Sequence, residues 1–582
     1  MFESVLVANR GEIARRVIRT LRRLGIRSVA VYTDVDADAP HVREADAARR
    51  VASYLDIEAV VAAGDGVDAV HPGYGFLSEN PEFVRACSAA GLTFIGPSAE
   101  AMEAMGDKVR ARDMAVSAGV PVLPSYGIDE EKDFPVLVKA VAGGGGRGMR
   151  VVASADELDD AIAAARREAK AGFADDRVFI EKYLPKARHI EVQLIGDFAL
   201  GERECSLQRR HQKVIEEAPS CVVGAELRKR LSEEAVALAR AAGYTNAGTV
   251  EFICDADDPS EHYFLEMNAR LQVEHPVTEL VTGLDLVECQ LRVAAGETFA
   301  WDGSLTGHAI EARVTAEDAR WLPQTGTVLR YVRPTDARVD DGIEEASVVG
   351  GDYDSLLAKV IVHGEDRTDA LHRLDRALSE TTILGVMTNV GALRSLLADP
   401  AVHAGHLHTE LVAQRLKYQP VGDERVLLAA AAVEFAELGV GDGWRLGGVR
   451  APSWWLLQVE DSGAVDVELP AGAVPEPGWE HARDGHTLWL GKDGYAWRVR
   501  EPEIEETRQE VAEGTVRAPM PGSVLLLNAK VGDAVTEGET LAVLESMKME
   551  LSLQAPFDGT VESIDVAQGD TVKQGQTLVV VA

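Results

Sequence analysis

Acidic and polar side chains alternate along two short runs that lie close together in the sequence. The first run carries Glu251, and the second carries Glu266, Asn268 and Arg270. A strand places every second side chain on one face, so the residues of the second run are predicted to share a face, and a turn between the runs would bring Glu251 beside Glu266. Carboxylate and amide oxygens beside a guanidinium suit Mg²⁺ held between protein and phosphate groups. The sequence predicts a metal–phosphate site, and solvated surface charge is the alternative for any single residue.

A second phosphate-binding feature is the glycine run at 143–148, which follows an apolar strand predicted over 136–139 and precedes another at 151–152. Consecutive glycines let backbone N–H groups approach a phosphate closely. The spacing is not GxxxxGK[ST], so the run is not a P-loop. It predicts a hairpin whose loop closes over phosphates, and a plain flexible linker is the alternative.

The third feature is Lys548, which lies between Met547 and Met549 near the end of the chain. Residues 518–541 and 555–578 repeat one pattern of short β segments and glycines, offset by 37 positions. Since neither half can bury its apolar face alone, the two halves are predicted to close into a small sandwich. Lys548 lies in the link between them, where a tight turn would expose it. The sequence therefore predicts an attachment point, with a lipoyl domain or an ordinary turn lysine as alternatives.

The elements that must position these residues begin with a strand at 4–8, a helix with apolar residues at helical spacing over 13–21, and a strand at 28–32. This order predicts a parallel sheet, and the single Gly11 is no dinucleotide fingerprint. Further along, a helix is predicted at 424–437 and short strands over 444–500. The acidic stretch 501–513 is predicted to be a mobile tether.

Length and composition exclude several classes of protein. With 582 residues, and about 150 per domain as a guide, we expect three to five domains. A net charge of −36 argues against a general nucleic-acid surface. The five cysteines have no CxxC spacing and indicate reduced thiols in a cytoplasmic protein. The longest apolar run, 426–433, is too short to span a membrane, and the first residues have no signal character.

Several longer motifs carry a resemblance to a known family: ANRGEIA at 8–14, HPGYGFLSEN at 71–80, QRRHQK at 208–213 and QVEHPVTE at 272–279. Together with the glycine loop they resemble the biotin carboxylase branch of the ATP-grasp ligases over roughly 1–415. The segment ESMKME at 545–550 resembles the biotin-carrier motif, with Ser546 where alanine is usual. The resemblance implies a multidomain fold: an α/β ATP-grasp biotin carboxylase, a β-rich middle domain with one helix, and a C-terminal all-β biotinyl/lipoyl-like sandwich.

The expected domain boundaries follow from this resemblance. They are 1–105 for an N-terminal α/β domain, 106–300 for an ATP-grasp domain with a lid at about 117–183, 301–418 for a biotin carboxylase C-terminal domain, 421–500 for a subunit-docking domain, 501–515 for the tether, and 516–582 for the biotin carboxyl carrier domain.

The resemblance also implies a role for each site residue. ATP would be bound by Lys108, Lys139, Gly143, Gly144, Gly145, Gly146, Gly148, Met149, Glu181, Lys182, Leu184, His189, Gln208 and His211. Mg²⁺ or Mn²⁺ would be bound by Glu251 and Glu266, supported by Asn268. Bicarbonate would be held by Lys213, Arg270, Gln272 and Val273, with Glu274 as its general base. Arg338 would steady the enolate oxygen of the biotin that is carried covalently on Lys548.

The partners are implied in the same way. Because the chain ends after the carrier motif, a separate carboxyltransferase β subunit is expected to accept the carboxyl group in a hetero-oligomer, and a biotin protein ligase is expected to modify Lys548. Residues 421–500 resemble the piece by which acyl-CoA carboxylase α subunits dock on their β subunits, with a plain spacer as the alternative. No nucleic acid or membrane partner is expected.

The arrangement is most similar to the α subunits of 3-methylcrotonyl-CoA carboxylases, with propionyl-, acetyl- or long-chain acyl-CoA carboxylases next. The segments at 50–66, 126–134 and 196–198 are shorter than is usual in the family. Two other hypotheses are an ATP-grasp ligase that joins an acyl phosphate to an amine, and a scaffold whose ATP fold is vestigial. The second is disfavoured because every required phosphate and metal position is filled.

Overall fold

The computed structural model describes residues 1–127, 130, 132–140, 149–173, 176–415, 424–437, 453–459, 465–470, 473–474, 476–500, 514–546 and 549–582. Three features expected from the sequence lie outside these residues: the glycine loop at 143–148, the tether at 501–513, and the pair Met547–Lys548. Among the described helices, none is both long and apolar enough to cross a membrane.

The N-terminal region is a parallel sheet covered by helices, as the opening strand–helix–strand order predicted. Its strands are β1 (Ser4–Val7), β2 (Arg27–Tyr32), β3 (Ala47–Arg50), β4 (Ala69–His71) and β5 (Thr93–Phe94), in the order β3-β2-β1-β4-β5. Its helices are α1 (Gly11–Leu24), α2 (Pro40–Glu44), α3 (Ile57–Ala62), α4 (Pro81–Ala89) and α5 (Ala99–Gly106). Helix α1 buries Ile13, Val17 and Leu21 and ends at Gly25, whose φ of 71° provides a left-handed cap.

The next region contains a small sheet and the first part of a large one. Its elements are α6 (Lys108–Ser117), β6 (Ser125–Tyr126), β7 (Val136–Ala140), β8 (Met149–Val152), α7 (Leu158–Phe173), β9 (Val178–Lys182), β10 (Ala187–Ile195), β11 (Phe198–Arg209), β12 (Gln212–Ala218), α8 (Ala225–Ala241), β13 (Ala247–Asp255), β14 (His262–Asn268), α9 (His275–Thr282) and α10 (Leu286–Ala294). The small sheet has the order β6-β9-β7-β8. Strands β7 and β8 pair antiparallel, so the glycine loop connects the two strands of a hairpin.

The third region continues the large sheet. Its elements are β15 (His308–Thr315), β16 (Gly326–Thr327), β17 (Arg330–Val332), β18 (Arg338–Asp341), β19 (Val348–Val349), β20 (Leu356–Gly364), α11 (Arg367–Glu380), β21 (Thr382–Leu384), α12 (Val390–Leu397), α13 (Pro400–His403) and α14 (Leu411–Arg415). The large sheet has eight strands in the order β14-β13-β10-β11-β12-β15-β20-β18, so it runs without a break across the expected boundary at residue 300. This continuity places side chains from both regions around one site.

The middle region is one helix against one sheet. Helix α15 (Glu424–Glu437) packs on β22 (Ser453–Val459), β23 (Val465–Leu469), β24 (Glu480–Asp484), β25 (Thr487–Lys492) and β26 (Tyr495–Arg500). The apolar run 426–433 is buried in this core, as expected. A second cluster joins the region to the preceding one, where Trp489 packs with Leu384 and Met387.

The last region is a sandwich of two four-stranded sheets. Its strands are β27 (Thr515–Arg517), β28 (Gly522–Leu527), β29 (Ala534–Val535), β30 (Thr540–Ser546), β31 (Met549–Gln554), β32 (Gly559–Ile564), β33 (Thr571–Val572) and β34 (Thr577–Val581). The repeat is visible in the backbone: Ala518 N donates to Gln576 O at 2.9 Å, and Ala555 N donates to Glu539 O at 2.8 Å. Ala518 and Ala555 are equivalent positions of the repeat, and so are Glu539 and Gln576. Each half therefore makes the same backbone bond to the other half, and the two predicted halves do close on each other.

Candidate active site

The hairpin predicted from the alternating runs is formed by β13 and β14. Glu251 lies directly opposite Glu266 in its register. Strand β14 ends at Asn268, so Arg270 lies beyond the strand and not on its face as the alternating pattern predicted. A hydrogen bond still joins them, since Arg270 Nη2 donates to Asn268 Oδ1 at 3.0 Å. The set expected from the sequence is therefore together, with Arg270 brought in by a side-chain contact.

Lys213 is the cation at the centre of the site. Its Nζ lies 2.5 Å from Glu191 Oε2, 3.1 Å from Glu251 Oε1 and 2.5 Å from Glu274 Oε1. Burial opposes the charged form, but the carboxylates outweigh burial and raise the pKa of Lys213 well above its usual value. One ammonium group thus neutralises part of a cluster of buried carboxylates drawn from three separate elements.

Glu274 is fully buried between cations at the start of α9. Its Oε1 accepts from Lys213, and its Oε2 accepts from Arg313 Nη2 at 3.0 Å. Burial favours the neutral acid, but Lys213, Arg313 and Arg203 together lower the pKa of Glu274 below its usual range. The group is therefore held ionised, ready to accept a proton.

Glu251 is fixed by polar neighbours on both oxygens. Oε1 accepts from Asn268 Nδ2 and Gln272 Nε2, each at 2.8 Å, and Oε2 lies 2.7 Å from His189 Nε2. His189 Nδ1 in turn lies 2.7 Å from Gln208 Nε2. Burial works against ionisation, but Lys213 and His189 lower the pKa of Glu251 well below its usual value. The Glu251 carboxylate is therefore ionised and immobilised.

Glu266 is open to the cleft, in contrast to its partner across the hairpin. Two effects raise the pKa of Glu266: the larger is desolvation within the cleft, and the smaller is the negative charge of Glu251. Two facing carboxylates, one of them accessible and disfavoured as an anion, fit a divalent cation that would relieve their repulsion. His189, Glu191 and Glu251 also bring donor atoms within 4.8 Å of one another, but Lys213 already pairs with both glutamates there.

The side of the site that the sequence predicts to bind phosphate includes the small sheet. Lys139 lies opposite Met149 in the β7–β8 register, at the base of the glycine loop, and its Nζ is 2.6 Å from Glu181 Oε2. Lys108 is the first residue of α6, and its charge offsets part of the rise in the pKa of Glu266. These lysines therefore approach the cleft from two directions.

Other residues expected to bind ATP lie around this side with different partners. Lys182 Nζ is 2.8 Å from Glu261 Oε1, and Leu184 is buried in a small apolar cluster. His211 is exposed at the β11–β12 turn, where its φ is 64°, apart from the bonded pair His189–Gln208. The structure thus brings His189 and Gln208 to the carboxylate cluster and leaves His211 at the tip of a hairpin.

Arg338 lies on β18 and contacts α9, the helix that begins just after Glu274. Its Nη1 donates to Glu279 Oε2 at 2.7 Å and its Nη2 to Asp340 Oδ2 at 2.7 Å. Burial opposes the charge of Arg338, but Asp340 and Glu279 raise its pKa above the usual value. Val273, next to Glu274, is held by its carbonyl oxygen, which accepts from Lys359 Nζ at 2.6 Å.

Several residues that touch the site were not predicted from the sequence. Arg203 Nε donates to Glu191 Oε1 at 2.5 Å, Arg313 contacts Glu274, and Glu79 Oε2 accepts from Arg270 Nε at 3.0 Å. Glu191 shares a strand face with His189, so the period-two pattern of β10 could have revealed it. Arg203 lies directly opposite Glu191 in the β10–β11 hairpin, whereas Arg313 has no comparable local pattern, because it lies on β15, which pairs with the distant strand β12.

A second hairpin, formed by β30 and β31, flanks the position of Lys548, the attachment point expected from the sequence. Strands β30 and β31 pair with Ser546 opposite Met549, so Met547 and Lys548 connect them, and both lie outside the described residues. Gly522 adjoins this end of β30, where a Cβ at its position would lie 2.4 Å from Glu545 O. The described strands β30 and β31 therefore end next to the two residues that include Lys548.

Comparison with known families accounts for most of the chain. Residues 1–102 match the family described as biotin carboxylase, N-terminal domain, and 107–301 match the carbamoyl-phosphate synthase L chain, ATP binding domain. Residues 311–414 match the biotin carboxylase C-terminal domain, and 514–581 match the family described as biotin-requiring enzyme.

Individual relatives agree with these matches. Methylcrotonoyl-CoA carboxylase subunit alpha, mitochondrial, of Oryza sativa subsp. japonica is 39% identical, over 94% of this chain and 90% of its own length. The alignment spans 663 positions, more than the chain's 582 residues, so this chain lacks segments that the relative has, in line with the short loops. Propionyl-CoA carboxylase alpha chain, mitochondrial, of Homo sapiens is 38% identical, over 95% of this chain and 88% of its own length.

Among solved structures, the biotin carboxylase domain of the Hydrogenobacter thermophilus 2-oxoglutarate carboxylase was determined as a dimer with MgADP, ADP and bicarbonate. It is 40% identical, with a TM-score of 0.69, over 72% of this chain and all of that domain. The region that holds the carboxylate cluster therefore has the fold of a domain that was solved with nucleotide, magnesium and bicarbonate.

Proposed function

This chain belongs to the family of biotin-dependent acyl-CoA carboxylase α subunits, and from that premise we propose that it carboxylates the biotin on its own Lys548 and delivers it for the carboxylation of 3-methylcrotonyl-CoA. The chain is an ATP-dependent biotin carboxylase joined to a biotin carrier domain, and its cofactors are biotin, ATP and Mg²⁺. The assignment of Lys548 and of the acyl-CoA ester is the proposed part.

The observation that carries the proposal is the buried cluster around Lys213. Its ammonium group contacts Glu191, Glu251 and Glu274, and it would move toward an anionic substrate that enters between them. Lys213 and Arg270 would bind bicarbonate electrostatically, with Gln272 and the Val273 backbone lining the same pocket. Low local dielectric makes each of these contacts stronger than it would be in water.

Glu274 is the proposed general base. It is ionised and fully buried, and it lies within hydrogen-bond reach of Lys213, where bicarbonate would bind. A proton passed from bicarbonate to Glu274 would leave a bicarbonate oxygen free to attack the terminal phosphorus of ATP, and the bond from that phosphorus to ADP would break, with ADP as the leaving group. Protonation would leave Glu274 neutral, so Lys213 and Arg313 could then pair with the negative charge that the substrate gains.

Glu251 and Glu266, supported by Asn268, are the proposed metal ligands. When bound there, Mg²⁺ would neutralise charge on the phosphate groups of ATP. Lys108 and Lys139 would bind the same phosphates from the protein side, together with the glycine loop. Glu181, Lys182 and Leu184 would line the adenine site, and Arg338 would face the ureido group of biotin.

A direct test follows ATP turnover by the purified chain with free biotin as the substrate. ADP release should require both bicarbonate and biotin, and Lys548→Arg should leave this reaction intact. The same variant should abolish incorporation of labelled bicarbonate into the protein. ATP turnover that is indifferent to bicarbonate would instead favour a ligase that joins an acyl phosphate to an amine.

A carboxyltransferase β subunit is the proposed partner, and the middle region at 421–500 is the proposed docking domain. Support comes from the relatives, which are named as α subunits or α chains, and from the attachment of this region to the catalytic part through Trp489. Copurification with the β subunit followed by activity on a panel of acyl-CoA esters separates 3-methylcrotonyl-CoA from propionyl-CoA. The cytoplasmic location expected from the cysteines stays a prediction, since the relatives named above are mitochondrial proteins.

A further inference from the structure

We propose that the loop at 316–324 is the receptor on which the carboxylase region seats its own carrier domain, with Leu322 as the positioning residue. The inference rests on the proposed function, because it concerns how the biotin on Lys548 is presented to the site. Among the described hydrophobic residues outside the carrier domain, only Leu322 packs against the carrier core cluster. That cluster includes Ala518, Met520 and Leu544.

The loop is held by hydrogen bonds among its own residues. Asp318 Oδ1 accepts from the backbone N–H groups of Arg320 and Leu322, each at 2.9 Å. The backbone N–H of Asp318 donates to Leu322 O at 3.0 Å, and Gln324 Nε2 donates to Asp318 Oδ2 at 3.3 Å. A loop backbone held by such a set of bonds loses little further freedom when a partner binds.

Trp321 carries the strain of this arrangement. Its φ is 62°, a left-handed conformation that costs a bulky residue free energy and that persists only where the surroundings impose it. The indole is buried in the core of the C-terminal part of the carboxylase. Leu322, the next residue, packs against the carrier core cluster instead.

The receptor is linked to the active site through the β11–β12 hairpin. The guanidinium of Arg209 lies 5.1 Å from the centre of the Trp321 ring, a cation–π contact. Arg209 follows Gln208, which bonds to His189, and it pairs across the hairpin with Gln212, next to Lys213. The seat of the carrier domain is therefore fixed to the same hairpin that supplies Lys213.

A seat formed around one leucine suits a shuttle. The carrier domain must leave after carboxylation to reach the carboxyltransferase, so a large apolar interface would hold it too long. A small contact instead raises the local concentration of biotin at the site without trapping the domain. The occupant is this chain's own carrier domain, as the packing of Leu322 indicates.

The test uses the full-length biotinylated chain and two reactions. Single-turnover transfer of labelled bicarbonate to the chain's own biotin reports on seating, and carboxylation of free biotin reports on the active site itself. Leu322→Asp should slow transfer to the chain's own biotin about tenfold, because that is the effect expected from losing a partly buried leucine contact. The carboxylation of free biotin should stay unchanged. Leu322→Ala should show a smaller loss in the same direction.

The matched control is Leu55→Asp, which changes a leucine that is 62% exposed and should alter neither reaction. If the Leu322→Asp variant and the wild-type chain carboxylated their own biotin at equal rates, the proposal that 316–324 is the receptor would be wrong. It would also be wrong if Leu322→Asp slowed both reactions equally. If the wild-type chain fails to carboxylate free biotin, the proposed function itself is wrong. The two failures are therefore distinguishable.

Discussion

The carboxylase cluster depends on contacts between distant segments, whereas the carrier sandwich depends on a local repeat. Around Lys213, buried charges from strands and helices far apart in the sequence balance one another, so each side chain depends on the others. In the sandwich, paired backbone bonds repeat after 37 positions, and the proposed attachment point, Lys548, is one of the two residues between β30 and β31. The first region should fail through loss of charge balance, and the second through displacement of one turn.

The largest effect is expected from Lys213→Met. Removal of the ammonium leaves three carboxylates without their common cation, and breaking a buried pair in this way costs about 3–5 kcal/mol of stability. We expect carboxylation of free biotin to fall about 10²–10³-fold. Biotinylation of the carrier domain, measured by a streptavidin gel shift, should continue.

The control for this variant is Lys186→Met, which removes a lysine that is 62% exposed and 3.7 Å from Asp257. Exposed ion pairs contribute about 0–1 kcal/mol, so this variant should retain its rate. If Lys213→Met also retained its rate, the charge cluster would not be the site of bicarbonate binding.

The two regions also differ in how far the sequence predicts them. The pairing of Glu251 with Glu266 was predicted because both lie in one local hairpin with a period-two pattern. Arg313 reaches Glu274 only because β12 pairs with β15, a contact between distant segments that leaves no local pattern. Arg270 was predicted on a strand that ends two residues earlier, since strand ends are set by tertiary contacts. The carrier sandwich was predictable because residues 518–541 and 555–578 repeat one sequence pattern.

An intermediate effect is expected from a pair of glycines related by the repeat, Gly522 and Gly559. A Cβ at Gly522 would lie 2.4 Å from Glu545 O, and a Cβ at Gly559 would lie 2.7 Å from Ala582 O. Each change to alanine should cost about 1–3 kcal/mol through overpacking. Only Gly522→Ala should slow biotinylation by a biotin ligase, because only Gly522 adjoins the strand that leads to Lys548.

Thermal unfolding and the rate of biotinylation, measured on both variants, check this prediction. Equal slowing of biotinylation in the two variants would mean that the ligase senses overall stability and not the position of the turn.

The smallest effect concerns His71, which lies outside both regions in the N-terminal sheet. It is fully buried, and its Nδ1 accepts from Gly73 N at 3.1 Å, so protonation would break this bond. Burial lowers the pKa of His71 to about 4, and burial likewise lowers the pKa of His41 to about 4. A histidine in the unfolded chain has a pKa of about 6.5, so it takes up a proton at a higher pH than the buried histidine does. Between about pH 6.5 and about pH 4, the free energy of unfolding therefore falls by about 1.4 kcal/mol for each such histidine and each pH unit.

His71→Gln should therefore lose less stability on acidification than the unmodified chain, with His41 still contributing its share. Urea-unfolding midpoints measured at about pH 7 and about pH 5 check this. An unchanged difference between the two midpoints would show that His71 is not held neutral.

The central claim is that one end of the chain loads the biotin carried at the other end. The most direct measurement incubates the biotinylated chain with Mg²⁺, ATP and labelled bicarbonate, and then locates the label by peptide mass spectrometry. The account predicts label on the biotinylated peptide that contains Lys548, and no label when ATP is omitted. A Lys548 side chain that stays unmodified after coexpression with an active biotin ligase, or a biotin there that gains no label, would contradict it.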